Sequence, residues 1–223
     1  MLKYLFYLRR FFYFFYGEKF YKRFNYVWGK YPSKTEIINR IINFKNYKSY
    51  LEIGCAEDVT FSKVKVLDKT GVDPVSGGTH QMTSDLFFQS NERKYDLIFI
   101  DGLHTYQQTA KDIKNSLECL CDKGIILLHD CLPSKIWNQL TPIMHARWNG
   151  DVWKAIVETR TRVNIDTYTI VADQGLGLII KRDNRNLLDK KINNFKNLKF
   201  KDYYNKQDLY MNKINHEDLE KII

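Results

Sequence analysis

The sequence predicts an α/β protein with a doubly wound, mostly parallel sheet and an antiparallel C-terminal hairpin. Short apolar runs recur with enough chain between them for a crossing helix, and the segment from Tyr106 to about Leu120 has helical spacing. Several of the runs also stop on an acid, as strands do where a parallel sheet opens onto a ligand crevice.

The elements follow in order. After Pro32, "SKTE" has the spacing of a capping box from Ser33 to Glu36, and Ile37, Ile38, Ile41, Ile42 and Phe44 recur on a helix from about 34 to 46. "YLEIG" (50–54), "KTGVD" (69–73), "YDLIFID" (95–101) and "GIILLHD" (124–130) read as buried strands. Ala110, Ile113, Leu117 and Leu120 mark the helix between the last two. "DTYTIVA" and "GLGLIIK" form two strand-like runs around Asp173 and Gln174, a hairpin added antiparallel to the sheet. Residues 183–223 are rich in Lys and Asn, show no periodic core face, and read as a partly helical appendage.

At 223 residues and 26.6 kDa the chain suits one domain with appendages, divided at 1–32, 33–182 and 183–223. Hydrophobic residues at 44% argue against disorder. Cys55, Cys119, Cys121 and Cys131 lack metal-knuckle or disulfide-scaffold spacing, so they read as reduced, buried thiols of a cytoplasmic protein. Much of the net charge of +9 sits in residues 1–30, where seven basic residues face Glu18 alone. A nucleic-acid binder would spread such charge over its core, so no nucleic-acid partner is expected. The N-terminal "MLKYLFYLRRFFYFFYGEKFYKRFNYVW" is too interrupted to span a membrane and lacks a cleavage site. Its aromatic and basic residues suit either peripheral contact with a membrane face or packing on the protein itself, and exposed aromatics make a homodimer an expectation.

The strand-end acids point to the chemistry. Glu52, Asp73, Asp101 and Asp130 fall at or near the ends of four strands, where hydroxyls or a cation would satisfy them. Asp73 follows Gly54 by 19 residues, the layout of a nucleoside fold in which a Gly turn admits the ligand and an acid takes ribose hydroxyls. A dinucleotide cradle would need two further glycines, which are missing. His104 lies three residues past Asp101 and reads either as a helix cap or as a functional base. Asp96 and Asp112 read as exposed charges, and Asp151 as the N-cap of a helix carrying a packed Trp153.

The ordered set "YLEIG", "TGVDP", "MTSDLFF", "YDLIFIDGLHTY", "ILLHDCLP" and "NGDVWKAI", over residues 48–182, resembles the class I S-adenosylmethionine-dependent methyltransferases. Within them it is similar to the metal-dependent sugar O-methyltransferases of the macrocin O-methyltransferase and cephalosporin hydroxylase-like group. The resemblance implies a Rossmann-like methyltransferase fold. It implies cofactor contacts from Glu52, Gly54, Cys55, Asp73, Ser84, Asp85 and Asp101, a divalent metal (Mg²⁺ or Mn²⁺) on Asp101, His129 and Asp130, and His104 as catalytic base. The sequence departs from the family at His129, where an acid is usual, and at Ala56, Glu57 and Asp58, which replace a glycine-rich continuation. Imidazole at a metal site suits transition metals better than Mg²⁺.

The expected reaction is methyl transfer from S-adenosylmethionine to a hydroxyl of a sugar, glycan or similar small molecule. Two alternatives stand beside it: an NAD-dependent oxidoreductase on a related fold, and a non-catalytic domain docking at a membrane or complex through its N-terminus.

Overall fold

A computed structural model of the protein describes residues 4–5, 7–8, 11–12, 23–140, 143 and 147–223. Most of the segment read above as a membrane or packing element, 1–3, 6, 9–10 and 13–22, lies outside the described residues. Among the described residues no helix is long and apolar enough to cross a membrane.

Helix α1 (Lys34–Lys45) starts at the expected capping box: Ser33 Oγ accepts the Glu36 amide, and the Glu36 carboxylate accepts the Ser33 amide at 2.7 Å. It ends on Asn46 in the left-handed conformation. Then come β1 (Ser49–Ile53), β2 (Asp68–Val72), α2 (Ser84–Ser90), β3 (Tyr95–Ile100), α3 (Tyr106–Glu118), β4 (Leu120–Leu128) and the short α4 (Ile136–Gln139). The chain continues through α5 (Trp153–Thr159), β5 (Asp166–Val171), β6 (Leu176–Ile180), α6 (Phe200–Asn205), α7 (Gln207–Met211), β7 (Lys213–Asn215) and α8 (Leu219–Ile222).

The seven strands lie in the order β2-β1-β3-β4-β6-β5-β7. β1, β2, β3 and β4 are parallel; β6 runs antiparallel to β4 and β5, and β7 pairs parallel to β5. The hairpin between β5 and β6 turns on Asp173 and Gln174, both at positive φ, as a tight type I′ connection requires.

Alternate residues of the strands bury opposite faces. Leu51, Ile98 and Ile126 face one way, against Ile113 of α3 and Trp153 and Ile156 of α5. Tyr50, Leu97, Phe99 and Ile125 face the other, against Ile37, Ile38 and Ile41 of α1. Both faces are therefore covered, which is why these strands read as continuous apolar runs.

Residues 183–223 return over this core. Phe200, Tyr203 and Met211 are fully buried, and Arg160 holds the segment by donating to the carbonyls of Asn186 (2.6 Å) and Leu209. Their apolar residues are spread over short helices, so no long helical face could show in the sequence. Residues 23–31 also pack on the domain: the Phe24 ring lies 4.9 Å from that of Tyr204, and the Tyr26 hydroxyl donates to Gln207.

Candidate active site

The order of strands reverses between β1 and β3, since β1 is followed by β2 on one side and β3 on the other. Such a switch point opens a crevice beyond the carboxyl ends of the strands. Gly54 stands there at φ +92°, and a Cβ on it would lie 2.3 Å from the Asp101 carbonyl oxygen, so only glycine lets the two strand ends approach.

Asp101 follows β3, and His129 and Asp130 follow β4. Asp101 Oδ1 lies 3.2 Å from His104 Nε2 and 2.9 Å from His129 Nδ1. His104 Nδ1 is 3.1 Å from Asp130 Oδ2 and 3.2 Å from the Trp148 carbonyl, and its ring stacks on the Trp148 indole. Asp130 sits at φ +62°, a conformation Asp tolerates better than most residues, and receives the buried Asn149 amide at 2.7 Å. Gly150, at φ +60°, allows the 148–151 loop to close on His104, whose carbonyl a Cβ there would strike at 1.7 Å.

Two residues at the centre carried no functional reading in the sequence. Lys34, the first residue of α1, places Nζ 2.5 Å from Asp101 Oδ2 and gives its amide to Asp173 Oδ2 at 2.7 Å. Asp173, on the hairpin turn, also faces His129 Nε2 at 3.6 Å, too long for a hydrogen bond. The only signals in the sequence were positional: a Lys just inside a capped helix start and an Asp in a hairpin turn.

The cluster thus sets three carboxylates against one ammonium and two imidazoles. Burial opposes charge on His129, yet the Asp101 and Asp130 carboxylates outweigh it and carry its pKa to about 10. His104 is likewise raised, burial being overcome by its bond to Asp101 and by the Asp130 charge. Burial would lift Asp101, but His129 and His104 hold it well below the usual carboxylate range. Asp130 keeps a raised pKa because burial dominates there. Glu52, buried and accepting the Tyr50 hydroxyl at 2.5 Å, is pushed up to about 7, mainly by burial.

At the end of β2, Asp73 accepts the amides of Ala56, Val75 and Ser76, which outweigh burial and keep it ionised. Cys55 turns its thiol inward, 3.7 Å from the Glu52 carbonyl. Ser84 and Asp85 lie in the first turn of α2, where both receive the Gln108 side-chain amide and Asp85 also pairs with Lys111. Asp112, read as exposed, is buried and receives the same Gln108 amide at 3.1 Å. The partly buried Asp96 anchors the amides of Lys48 and Ser49. Asp151 is not the N-cap of α5, a place Val152 takes; it caps α3 instead, accepting the Tyr106 amide at 2.6 Å.

An ionised acid at the end of β2, facing a glycine at the switch point, fits a nucleoside better than a diphosphate. The carboxylate oxygens and imidazole nitrogens of Asp101, His104 and Asp130 lie within 4.8 Å of one another, a donor set that fits a divalent cation tolerant of nitrogen. His129 stands outside that set, held on Asp101.

Residues 41–131 match a family model described as a methyltransferase domain. No curated protein matches the chain. Among solved structures it is similar to an O-methyltransferase from Bacillus cereus in complex with SAH, at 10% identity and a TM-score of 0.51 over 68% of this chain and 82% of that one. The SAH-bound methyltransferase PaMTH1 of Podospora anserina gives 18% identity and a TM-score of 0.53 over 67% and 78%. The O-methyltransferase TomG of Streptomyces achromogenes, in complex with SAM, gives 8% and 0.52 over 67% and 79%. At these identities the likeness is one of fold, and the family match covers residues 41–131 of the 223. Residues 41–131 are thus similar to a methyltransferase domain, carried on a fold like that of these solved methyltransferases.

Proposed function

We propose that the protein is an O-methyltransferase that moves the methyl group of S-adenosylmethionine to a hydroxyl of a sugar, glycan or similar small molecule, assisted by a divalent cation. The observation that carries this reading is the Asp101, His104 and Asp130 group beside Gly54 at the switch point. Two fold neighbours, from Bacillus cereus and Streptomyces achromogenes, are described as O-methyltransferases, which supports oxygen as the acceptor atom.

A hydroxyl is a poor nucleophile until it gives up its proton, and this site is built to take one. Neutral His104 keeps one ring nitrogen as a donor, to Asp101 or to the Trp148 carbonyl, and the lone pair of the other nitrogen is the proton acceptor. Asp101 and Asp130 orient the acceptor hydroxyl, and Lys34 and His129 fix Asp101 from either oxygen. Asp73 takes the ribose hydroxyls at the far side of the crevice. When bound, S-adenosylmethionine supplies an electrophilic methyl carbon, and a cation on Asp101 and Asp130 supplies charge to the developing alkoxide.

The test is transfer of labelled methyl from S-adenosylmethionine to a panel of hydroxylated sugars and phenols, with Mg²⁺, Mn²⁺ or chelator, beside His104→Ala. Label in an ether product, lost in the variant, is expected. Label found only on nitrogen or sulfur acceptors would overturn the reading.

A further inference from the structure

A cavity of about 420 Å³ is lined in part by Asn149, the residue that bonds Asp130 of the cluster. Its lining also includes Arg23, Tyr26 and Trp28 from the segment before α1, with Lys135 and Arg147. The cavity shares two connections with the catalytic group. Asn149 donates to Asp130, and Gln174, also a lining residue, follows Asp173 on the hairpin turn. The segment carrying Trp28 runs on through Ser33 into Lys34, whose ammonium sits on Asp101.

The charge of this cavity is one-sided. Its lining includes three cationic side chains and, among the described residues, no acidic one. Arg23 and Lys135 are moreover directly opposed, paired in an antiparallel bridge with the Phe24 amide bonded to the Ser134 carbonyl at 2.8 Å. Directly opposed residues carry their side chains on the same face with Cβ atoms about 5 Å apart, and like charges so placed repel. Among the described residues neither has a carboxylate within ion-pair distance. The lining also holds a stacked aromatic pair, Tyr26 and Trp28, with ring centroids 4.4 Å apart. Aromatic faces beside convergent cations are the lining of a site for a ring-bearing anion, and the volume lies in the range of small-molecule pockets.

We propose that this cavity is the acceptor site and that the acceptor is an anionic hydroxylated molecule, its phosphate or carboxylate held by Arg23 and Lys135 and its ring set against Tyr26 and Trp28. The proposal rests on the methyltransferase reading and narrows its substrate class. Asn149 then links acceptor binding to chemistry, since it lines the cavity and holds Asp130.

Calorimetric titration of the full chain with glucose 1-phosphate, glucuronate and glucose tests this, with S-adenosylmethionine titrated into the same preparations. At least one charged sugar is expected to bind ten-fold or more tightly than glucose. That preference is expected to vanish in Arg23→Gln/Lys135→Gln while S-adenosylmethionine still binds. Which charged sugar wins distinguishes a phosphate from a carboxylate. Equal affinities for all three sugars, including no binding by any, or a preference that survives in the double variant, would overturn the proposal. If S-adenosylmethionine binds but no anion preference appears, the acceptor proposal fails alone; if folded wild-type protein does not bind S-adenosylmethionine, the reading beneath it fails.

Discussion

Lys34 and Asp101, 67 residues apart in the chain, meet at 2.5 Å at the centre of the site. The pair joins the start of α1 to the end of β3, so the helix that covers one face of the sheet also supplies a cation to the carboxylate at the centre of the cluster. Burial works against the ammonium, yet Asp101 raises its pKa and keeps it charged. Lys34→Met is expected to leave Asp101 short of a partner and to lower stability by about 2 kcal/mol, which is about 4–8 °C in Tm for a chain of this size. Thermal melts check the stability, and an accompanying fall of about ten-fold or more in kcat/KM would place the pair in the reaction rather than in the scaffold alone.

His104 is expected to act as a base, which requires it unprotonated. Because its pKa is raised, turnover should climb with pH through a value above the ordinary 6.5 and level off beyond it. His104→Ala should lower kcat by about 10²–10⁴-fold and remove that limb of the pH profile. A profile unchanged in the variant would show that another group takes the proton.

His129 binds its proton more tightly in the folded chain, near pKa 10, than when unfolded, near 6.5. Its contribution to stability is therefore complete below pH 6.5 and is lost as pH rises through about 10. Glu52, raised to about 7, and His104, also raised, act with the same sign, so the comparison with a His129 variant isolates that histidine. Unfolding free energies from denaturant titrations between about pH 7 and 10 should fall less steeply in His129→Gln than in the wild type, by up to about 1.4 kcal/mol per pH unit.

Asp151 caps α3 from 45 residues away, while the N-cap Thr105 makes no side-chain cap of its own. Asp151→Ala should cost about 0.5–2 kcal/mol, seen as a lower denaturant midpoint at unchanged slope. The same loop carries Trp148, stacked on His104, and Asn149, bonded to Asp130. Loosening it is expected to reduce kcat as well.

What could be read from the sequence divides along physical lines. The parallel strands were legible because both sheet faces are covered, which makes each strand a continuous apolar run. Asp73, Asp101 and Asp130 stood out because an acid closing such a run has no place in the core. Lys34, Asp173 and Asn149 could not stand out: each comes from an element whose local pattern is ordinary, and only the tertiary fold brings it to Asp101, His129 or Asp130. Asp112 looked solvent-facing because a polar residue on a helix usually is, and its burial depends on Gln108 one turn earlier. The short helices of the C-terminal segment lack the length over which helical periodicity declares itself.

The central claim is that the crevice between Gly54, Asp73 and Asp101 takes S-adenosylmethionine. Calorimetric titration of the folded protein with S-adenosylmethionine and, separately, with NAD tests it most directly. Micromolar binding of S-adenosylmethionine, weakened in Asp73→Ala, is expected, with none of NAD. Binding of NAD in its place, or no binding of S-adenosylmethionine by protein shown to be folded, would contradict it.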